Sequence, residues 1–412
     1  MQTNIIQTFL NTAKGQEADQ ILRSCVHCGF CTATCPTYQL LGSELDSPRG
    51  RIYLIKQMLE GNEVSEKTQL HLDRCLTCRS CETTCPSGVQ YSRLIDIGRD
   101  MVERQVSRPL ITKFTRFSIR NIVPYPKRFA TMVKLGYTVK HLIPAALQQK
   151  LPQLPQKPPR PQQSHTRQML VLEGCAQSVA TPETNASAAR ILDRLGVGLI
   201  SPDNAGCCGA VSHHLAEEEE GREFMRRNID AWWPYIEQGI EAIIVTASGC
   251  GVMVKDYGHL LKDDKAYADK AKRVSELAKD ISEIIANEDL SQLTVKPSGK
   301  IAFHSPCTLQ HGQKLNGLVE KILTGLGFEL TQVADAHLCC GSAGTYSILQ
   351  PQLSQQLLDN KLSNLNQGQP DIIATANVGC QMHMTTKSQV PVKHWIELID
   401  ESITGGFEDK SQ

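Results

Sequence analysis

Eight cysteines between residues 25 and 85 fall into two runs with one spelling. Cys25, Cys28, Cys31 and Cys35, followed by Pro36, read C-x2-C-x2-C-x3-C-P; Cys75, Cys78, Cys81 and Cys85, followed by Pro86, read it again. Three thiolates spaced by two residues can wrap a compact loop round three irons of a cube. The fourth, set off by three residues and a proline, turns away. A second set is spread wider: Cys175, the vicinal pair Cys207-Cys208 and Cys250, then Cys307, the vicinal pair Cys339-Cys340 and Cys380. The N-terminal stretch MQTNIIQTFLNTAKGQEAD shows no basic region followed by a long apolar one, so no secretory signal is expected. In a reducing cytosol sixteen cysteines read as metal ligands or redox groups, not disulfides.

The two runs carry the bacterial ferredoxin signature, whose fourth cysteine serves the other cluster. The expected sets are therefore Cys25, Cys28, Cys31 and Cys85 on one [4Fe–4S] cluster, and Cys75, Cys78, Cys81 and Cys35 on the other. Two zinc knots are the alternative, but structural zinc favours separated cysteine or histidine pairs. His27, inside the first loop, is expected as an exposed or outer group and not as a ligand. Two cubes suit one-electron transfer.

Several elements must position these groups. The 39 residues between the runs look helical. Ser47 is an N-cap, Pro48 a first helical residue and Gly61 a stop for one helix; 17–24, 65–75 and 91–106 also fit helical spacing. Residues 101–160 hold twelve Lys/Arg and one acid, Glu103, and 151–163 carries five prolines, the composition of an extended linker. Beyond it, QMLVLEG (168–174), VGLISP (197–202) and EAIIVTASG (241–249) read as strands alternating with helices such as TPETNASAARILDRLG (181–196), the signature of a parallel α/β layer. This half repeats itself. GKIAFHSP (299–306) and DIIATANVG (371–379) echo its strands, and the four cysteines recur at offsets of 132, 132, 132 and 130. The expected fold class is α+β multidomain. A helical two-cluster ferredoxin domain (1–105) and a basic, Pro-rich connector (106–167) precede two α/β cysteine-rich repeats (168–295 and 296–412).

The first repeat spells C-x31-CCG-x40-C and the second C-x31-CCG-x38-C. This resembles the cysteine-rich, or CCG, domain of heterodisulfide reductase subunits and related membrane-linked dehydrogenase subunits. Their pattern ends in C-x-x-C, whereas Met253 and His383 stand here in place of the last cysteine. The resemblance implies further iron–sulfur or redox centres on Cys175, Cys207, Cys208 and Cys250 and on Cys307, Cys339, Cys340 and Cys380; the departure sets disulfide chemistry in doubt. Over the whole chain, CVHCGFCTATCPTYQLLG, DSPRGRIYLIKQMLEGN, HLDRCLTCRSCETTCPSGV, NIDAWWPYIEQG, TASGCG, HLCCGSAGTY and VKHWIE resemble the iron–sulfur subunits of bacterial glycolate oxidases. That resemblance implies a non-flavin subunit, inactive alone, carrying electrons from flavin-containing subunits that oxidise glycolate to glyoxylate toward a quinone or other membrane acceptor. Rival readings are the equivalent subunit of a lactate or anaerobic glycerol-3-phosphate dehydrogenase, or a heterodisulfide-reductase-like thiol–disulfide enzyme.

The remaining features bound this reading. Formal net charge is zero, which excludes a globally basic nucleic-acid binder. No G-x-G-x-x-G follows a strand: Gly196-Val197-Gly198 is followed by Ser201 at the sixth position. No P-loop appears either, so flavin and nucleotide belong to partners. His213-His214 with Glu217–Glu220 read as a solvated helix start in preference to a metal site, and Trp232-Trp233 as core in preference to a docking patch. No apolar run approaches the ~18 residues of a membrane span. The basic stretch, interleaved with Phe114, Phe117, Tyr125, Phe129 and Met132, suits peripheral contact with anionic lipid or an acidic partner, at the cytoplasmic face of the cell membrane.

Overall fold

In the computed structural model, which describes residues 1–138, 155 and 157–403, the chain begins as a stack of helices. They are α1 (Ala13–Ser24), α2 (Pro48–Leu59), α3 (Glu66–Asp73) and α4 (Tyr91–Gln105). Side-chain caps start the first three: Thr12, Ser47 and Ser65 accept from the backbone N–H groups of Gly15, Gly50 and Thr68. Each such cap is worth about 1 kcal/mol. Pro48 occupies the first turn of α2, where its missing N–H costs nothing, and Gly61 lies just beyond its end at φ +88°. The apolar faces of these helices bury Leu22, Ile55, Leu59, Leu72, Leu94 and Ile95 in one core. Gly98 lets α4 approach α2 closely: a Cβ there would lie 2.7 Å from Ile55 Cγ1.

Two further helices, α5 (Leu110–Ile122) and α6 (Pro126–Thr138), form the described part of the basic connector; its residues 139–154 and 156 lie outside the described set. Their charge does not face one surface. Arg116 binds Glu103 and the Leu215 carbonyl, and Arg120 binds Glu217 and Glu220, so both point inward. The outward face of α5 is apolar instead. Leu110, Ile111, Phe114 and Phe117, spaced to share one side, are 83, 72, 66 and 56 % exposed.

The rest is two parallel four-stranded sheets. The first has β1 (Arg167–Val171), β2 (Val197–Ile200), β3 (Ile243–Val245) and β4 (Ala278–Asp280) in the order β2-β1-β3-β4. The second has β5 (Lys300–His304), β6 (Glu329–Leu330), β7 (Ile372–Thr375) and β8 (Val392–His394) in the order β6-β5-β7-β8. The mixed α/β class and the repeat follow the sequence expectation. The edge strands β4 and β8 escaped it, because AKD and VKH lack the apolar run that marks a buried strand. Helix α7 (Pro182–Arg194) of the first repeat packs against α8 (Trp395–Ser402) of the second. Ile191, Leu192, Phe303, Trp395 and Ile399 share one core, so the repeats are fused back to back. Their strand-end loops also meet: His394 Nε2 lies 3.0 Å from the Thr246 carbonyl, and Ser248 N–H donates to that of Ala376.

Candidate metal centres

The two ferredoxin-type loops have one backbone conformation. His27 and Gly29 flank Cys28 at φ 54° and 87°; Thr77 and Arg79 flank Cys78 at 52° and 59°. Alternating left-handed residues coil the chain tightly enough to present successive cysteines inward, and each loop runs into a one-turn helix, Phe30–Ala33 or Ser80–Thr83. One cavity is lined by Cys25, Cys28, Cys31 and Cys85, together with Cys81. A second is lined by Cys35, Cys75, Cys78 and Cys81. The first reaches the surface, since Cys28 and its neighbours Val26 and Phe30 are exposed. His27 is exposed too. The second cavity lies deeper, with Cys35, Cys75 and Cys81 buried. Its polar surround is built by Arg51, 1 % exposed. Its Nη1 lies 4.0 Å from Cys35 Sγ, its Nη2 bonds Thr37 Oγ1 and Asp46 Oδ1, and its Nε donates to the His71 carbonyl. The Tyr91 hydroxyl donates to Cys75 Sγ at 3.6 Å. A fixed cation and a hydroxyl donor beside thiol sulfurs suit an anionic iron–sulfur cube, whose potential such groups set.

In both repeats the glycine after the vicinal pair is left-handed, Gly209 at φ +89° and Gly341 at φ +86°. Its N–H turns back onto the first cysteine: Gly209 N to Cys207 Sγ at 3.5 Å, Gly341 N to Cys339 Sγ at 3.4 Å. A Cβ at either position would press on backbone, 2.7 Å from the Gly221 carbonyl oxygen and 2.5 Å from that of Ser354. Cys250 and Cys380 sit in the first turns of helices that follow β3 and β7, Ser248–Lys255 and Val378–Thr385. Each repeat thus gathers its four cysteines at the carboxyl ends of its strands, where open α/β sheets hold ligands. The thiols touch. Those of Cys207 and Cys250 bond Cys208 and hold it well below the ordinary thiol range. In the second repeat Cys307 Sγ and Cys339 Sγ are 3.9 Å apart. These clustered sulfurs fit a thiolate-bound metal centre.

The repeats are not equivalent. His304, which ends β5, is buried with both ring nitrogens unpartnered, and a ring nitrogen lies within 4.8 Å of Cys340 and Cys380 Sγ. Burial, with Lys361 nearby, pushes its pKa well down, so it stands as a neutral donor. The first repeat has Leu172 at the matching place. Sequence reasoning passed over His304 although the 132-residue offset exposes the difference. His383, which stands where the last cysteine of the family pattern would, has its Nε2 3.1 Å from the Ser354 hydroxyl. Trp232 is core, as expected; Trp233 is partly exposed and donates to Glu237. The acids Glu218–Glu220 do open a helix, Glu218–Glu237, but the two histidines before it are not simply solvated: both approach Asp96 of α4.

The centres adjoin one another. Cys78 packs with Leu76 against Cys307 and Cys339, so the deeper cavity touches the second repeat. Cys175 and Cys207 pack with Phe224 beneath Val123 and Tyr125, at the turn between α5 and α6.

The family described as a 4Fe-4S dicluster domain matches residues 21–89, and the family described as a cysteine-rich domain matches 169–255 and 301–385. The glycolate oxidase iron-sulfur subunit of Escherichia coli (strain K12) is 56% identical over 404 residues, covering 98% of this chain and 99% of that protein. The probable glycolate oxidase iron-sulfur subunit of Bacillus subtilis (strain 168) is 30% identical over 88% of each. Lactate utilization protein A of Bacillus licheniformis is 27% identical over 51% of this chain and 87% of that protein. A hypothetical protein from Helicobacter pylori shares the fold, with a TM-score of 0.57 at 9% identity over 97% of this chain and 74% of its own.

Proposed function

Since the chain belongs to the family of glycolate oxidase iron–sulfur subunits, we propose that it is the non-flavin, electron-carrying subunit of a complex that oxidises glycolate to glyoxylate. The observation that carries this reading is the pair of cavities, each lined by three cysteines of one run and the last cysteine of the other. Cys25, Cys28, Cys31 and Cys85 would hold one [4Fe–4S] cluster, and Cys35, Cys75, Cys78 and Cys81 the other. The cysteines of the repeats would hold further iron–sulfur centres, with His304 as an added donor beside Cys340 and Cys380. These groups supply one-electron chemistry; the chain's own part is to fix their spacing, polarity and access.

Exposure supports a direction. Cys28, Val26 and Phe30 form the accessible side of the first cavity, suited to a flavin-bearing partner. The second cavity lies inward against the repeats. The α5–α6 hairpin lies over the cysteines of the first repeat and carries the exposed apolar face with Lys113, Lys127 and Lys134 around it. Such a face suits peripheral attachment at the membrane, where a quinone acceptor is met. Among the described residues no helix is long and apolar enough to cross a membrane.

The test is anaerobic addition of glycolate to the chain alone and to the chain assembled with its flavin subunits, followed by EPR. Cluster reduction only in the assembly supports the reading. Oxidation of glycolate by the isolated chain, or an assembly in which glycolate reduces the flavin and never the clusters, overturns it.

A further inference from the structure

One group of donors serves none of these centres. Asp96 lies on α4 of the helical domain; His213 and His214 end the short helix Ala210–His214 that Gly209 starts. His213 Nε2 stands 3.4 Å from Asp96 Oδ2, and His214 Nδ1 stands 3.6 Å from Asp96 Oδ1. One nitrogen from each ring and one carboxylate oxygen all fall within 4.8 Å of one another. The rings stand nearly edge to face, 67° apart with centroids 5.4 Å apart, so they address the carboxylate from different directions.

The group is poorly satisfied as a plain ion pair. Asp96 Oδ1 and His214 Nδ1 are both buried and face each other at 3.6 Å, too far for a hydrogen bond, and neither has another hydrogen-bond partner. Leaving buried polar atoms without a hydrogen bond is unfavourable. The nearby cations do not relieve them: Arg79 and Arg93 both bind Asp256. All three side chains line a cleft that Thr77, Met253 and Thr308 help to wall. Two imidazoles and one carboxylate on one side of an open space form the ligand set that takes a divalent transition ion and leaves coordination positions free. Bonds of about 2.0–2.2 Å put such donors roughly 3 Å apart, so small side-chain movements would close the set.

We propose that Asp96, His213 and His214 bind one divalent ion of the zinc or iron(II) class, joining the helical domain to the turn after the first vicinal cysteine pair. Binding forms two metal–nitrogen bonds and one metal–oxygen bond, displaces water from the ion and moves no electron. The ion would lie in a cleft lined also by Cys78 and Gly249, beside both a cube ligand and the first repeat.

The experiment is equilibrium dialysis of anaerobically purified, cluster-loaded chain against Zn²⁺ with metal analysis, followed by zinc X-ray absorption. The cluster thiolates are then occupied by iron. Expected is one zinc per chain with nitrogen and oxygen neighbours and no sulfur, weakened at least tenfold by His214→Gln and by Asp96→Asn, and retained in Asp256→Asn. His214 is partly exposed, so its variant should fold, and unchanged cluster EPR spectra serve as the check. No zinc bound, sulfur neighbours, or equal binding in the His214→Gln variant would overturn the proposal.

Discussion

Replacing Arg51 by methionine should lower the potential of the cluster held by Cys35, Cys75, Cys78 and Cys81. The guanidinium is buried, with Nη1 4.0 Å from Cys35 Sγ. Adding an iron–sulfur bond puts the charge about 6 Å from the nearest iron. At an effective dielectric of about 20, a unit charge at that distance favours the reduced cluster by about 3 kcal/mol. For one electron that corresponds to about 120 mV. Asp46, whose Oδ1 is 3.4 Å from Nη2, cancels part of this. A negative shift of about 50 mV is therefore expected. Loss of one partner from a buried pair also destabilises by roughly 3–5 kcal/mol. His71 and Arg74 still bind Asp46, which holds that cost toward the lower end. Redox titration followed by EPR resolves the two clusters, and the one near Cys28 serves as an internal reference. A positive shift, or an equal shift of both clusters, would refute the electrostatic reasoning.

Three further outcomes are expected. Cys35→Ser should abolish or convert the cluster that Cys75, Cys78 and Cys81 hold and spare the other, as read by EPR; loss of only the Cys25–Cys31 cluster would reverse the assignment. Glu397 is 6 % exposed, and burial pushes its pKa up to about 7. Its folded form then holds a proton that the unfolded chain loses near 4.5. Stability should fall as pH rises from about 4.5 to 7, and Glu397→Gln should recover up to about 3 kcal/mol at pH 8 and almost nothing at pH 4, measured by denaturant unfolding. Finally, Phe114→Glu with Phe117→Glu should release the assembled complex from membrane vesicles with the clusters intact. Charge reversal at Arg120 should destabilise the fold instead, because Arg120 binds Glu217 and Glu220.

Much of this molecule is legible in its sequence where chemistry forces spacing. The ferredoxin runs and the offset cysteines announce the centres because metal ligands tolerate little displacement. Ser47-Pro48 announces α2 because a cap and a proline have local, fixed roles. What escaped depends on contacts distant in the chain. Asp96 meets His213 only because α4 packs on the first repeat, across more than a hundred residues. His304 shows itself as a donor only once β5 sets it beside Cys340 and Cys380. The charge of 101–160 suggested one basic surface, but the acids that bind Arg120, at 217 and 220, lie far along the chain. Composition records the charge and not which way a helix turns it.

The most direct test of the account is iron and acid-labile sulfide analysis of the anaerobically purified chain, with EPR after dithionite reduction. About eight irons and eight sulfides are expected from the ferredoxin-type sites, with more contributed by the repeats. Two interacting reduced [4Fe–4S] signals are expected as well. Stoichiometric zinc without labile sulfide would contradict the iron–sulfur assignment.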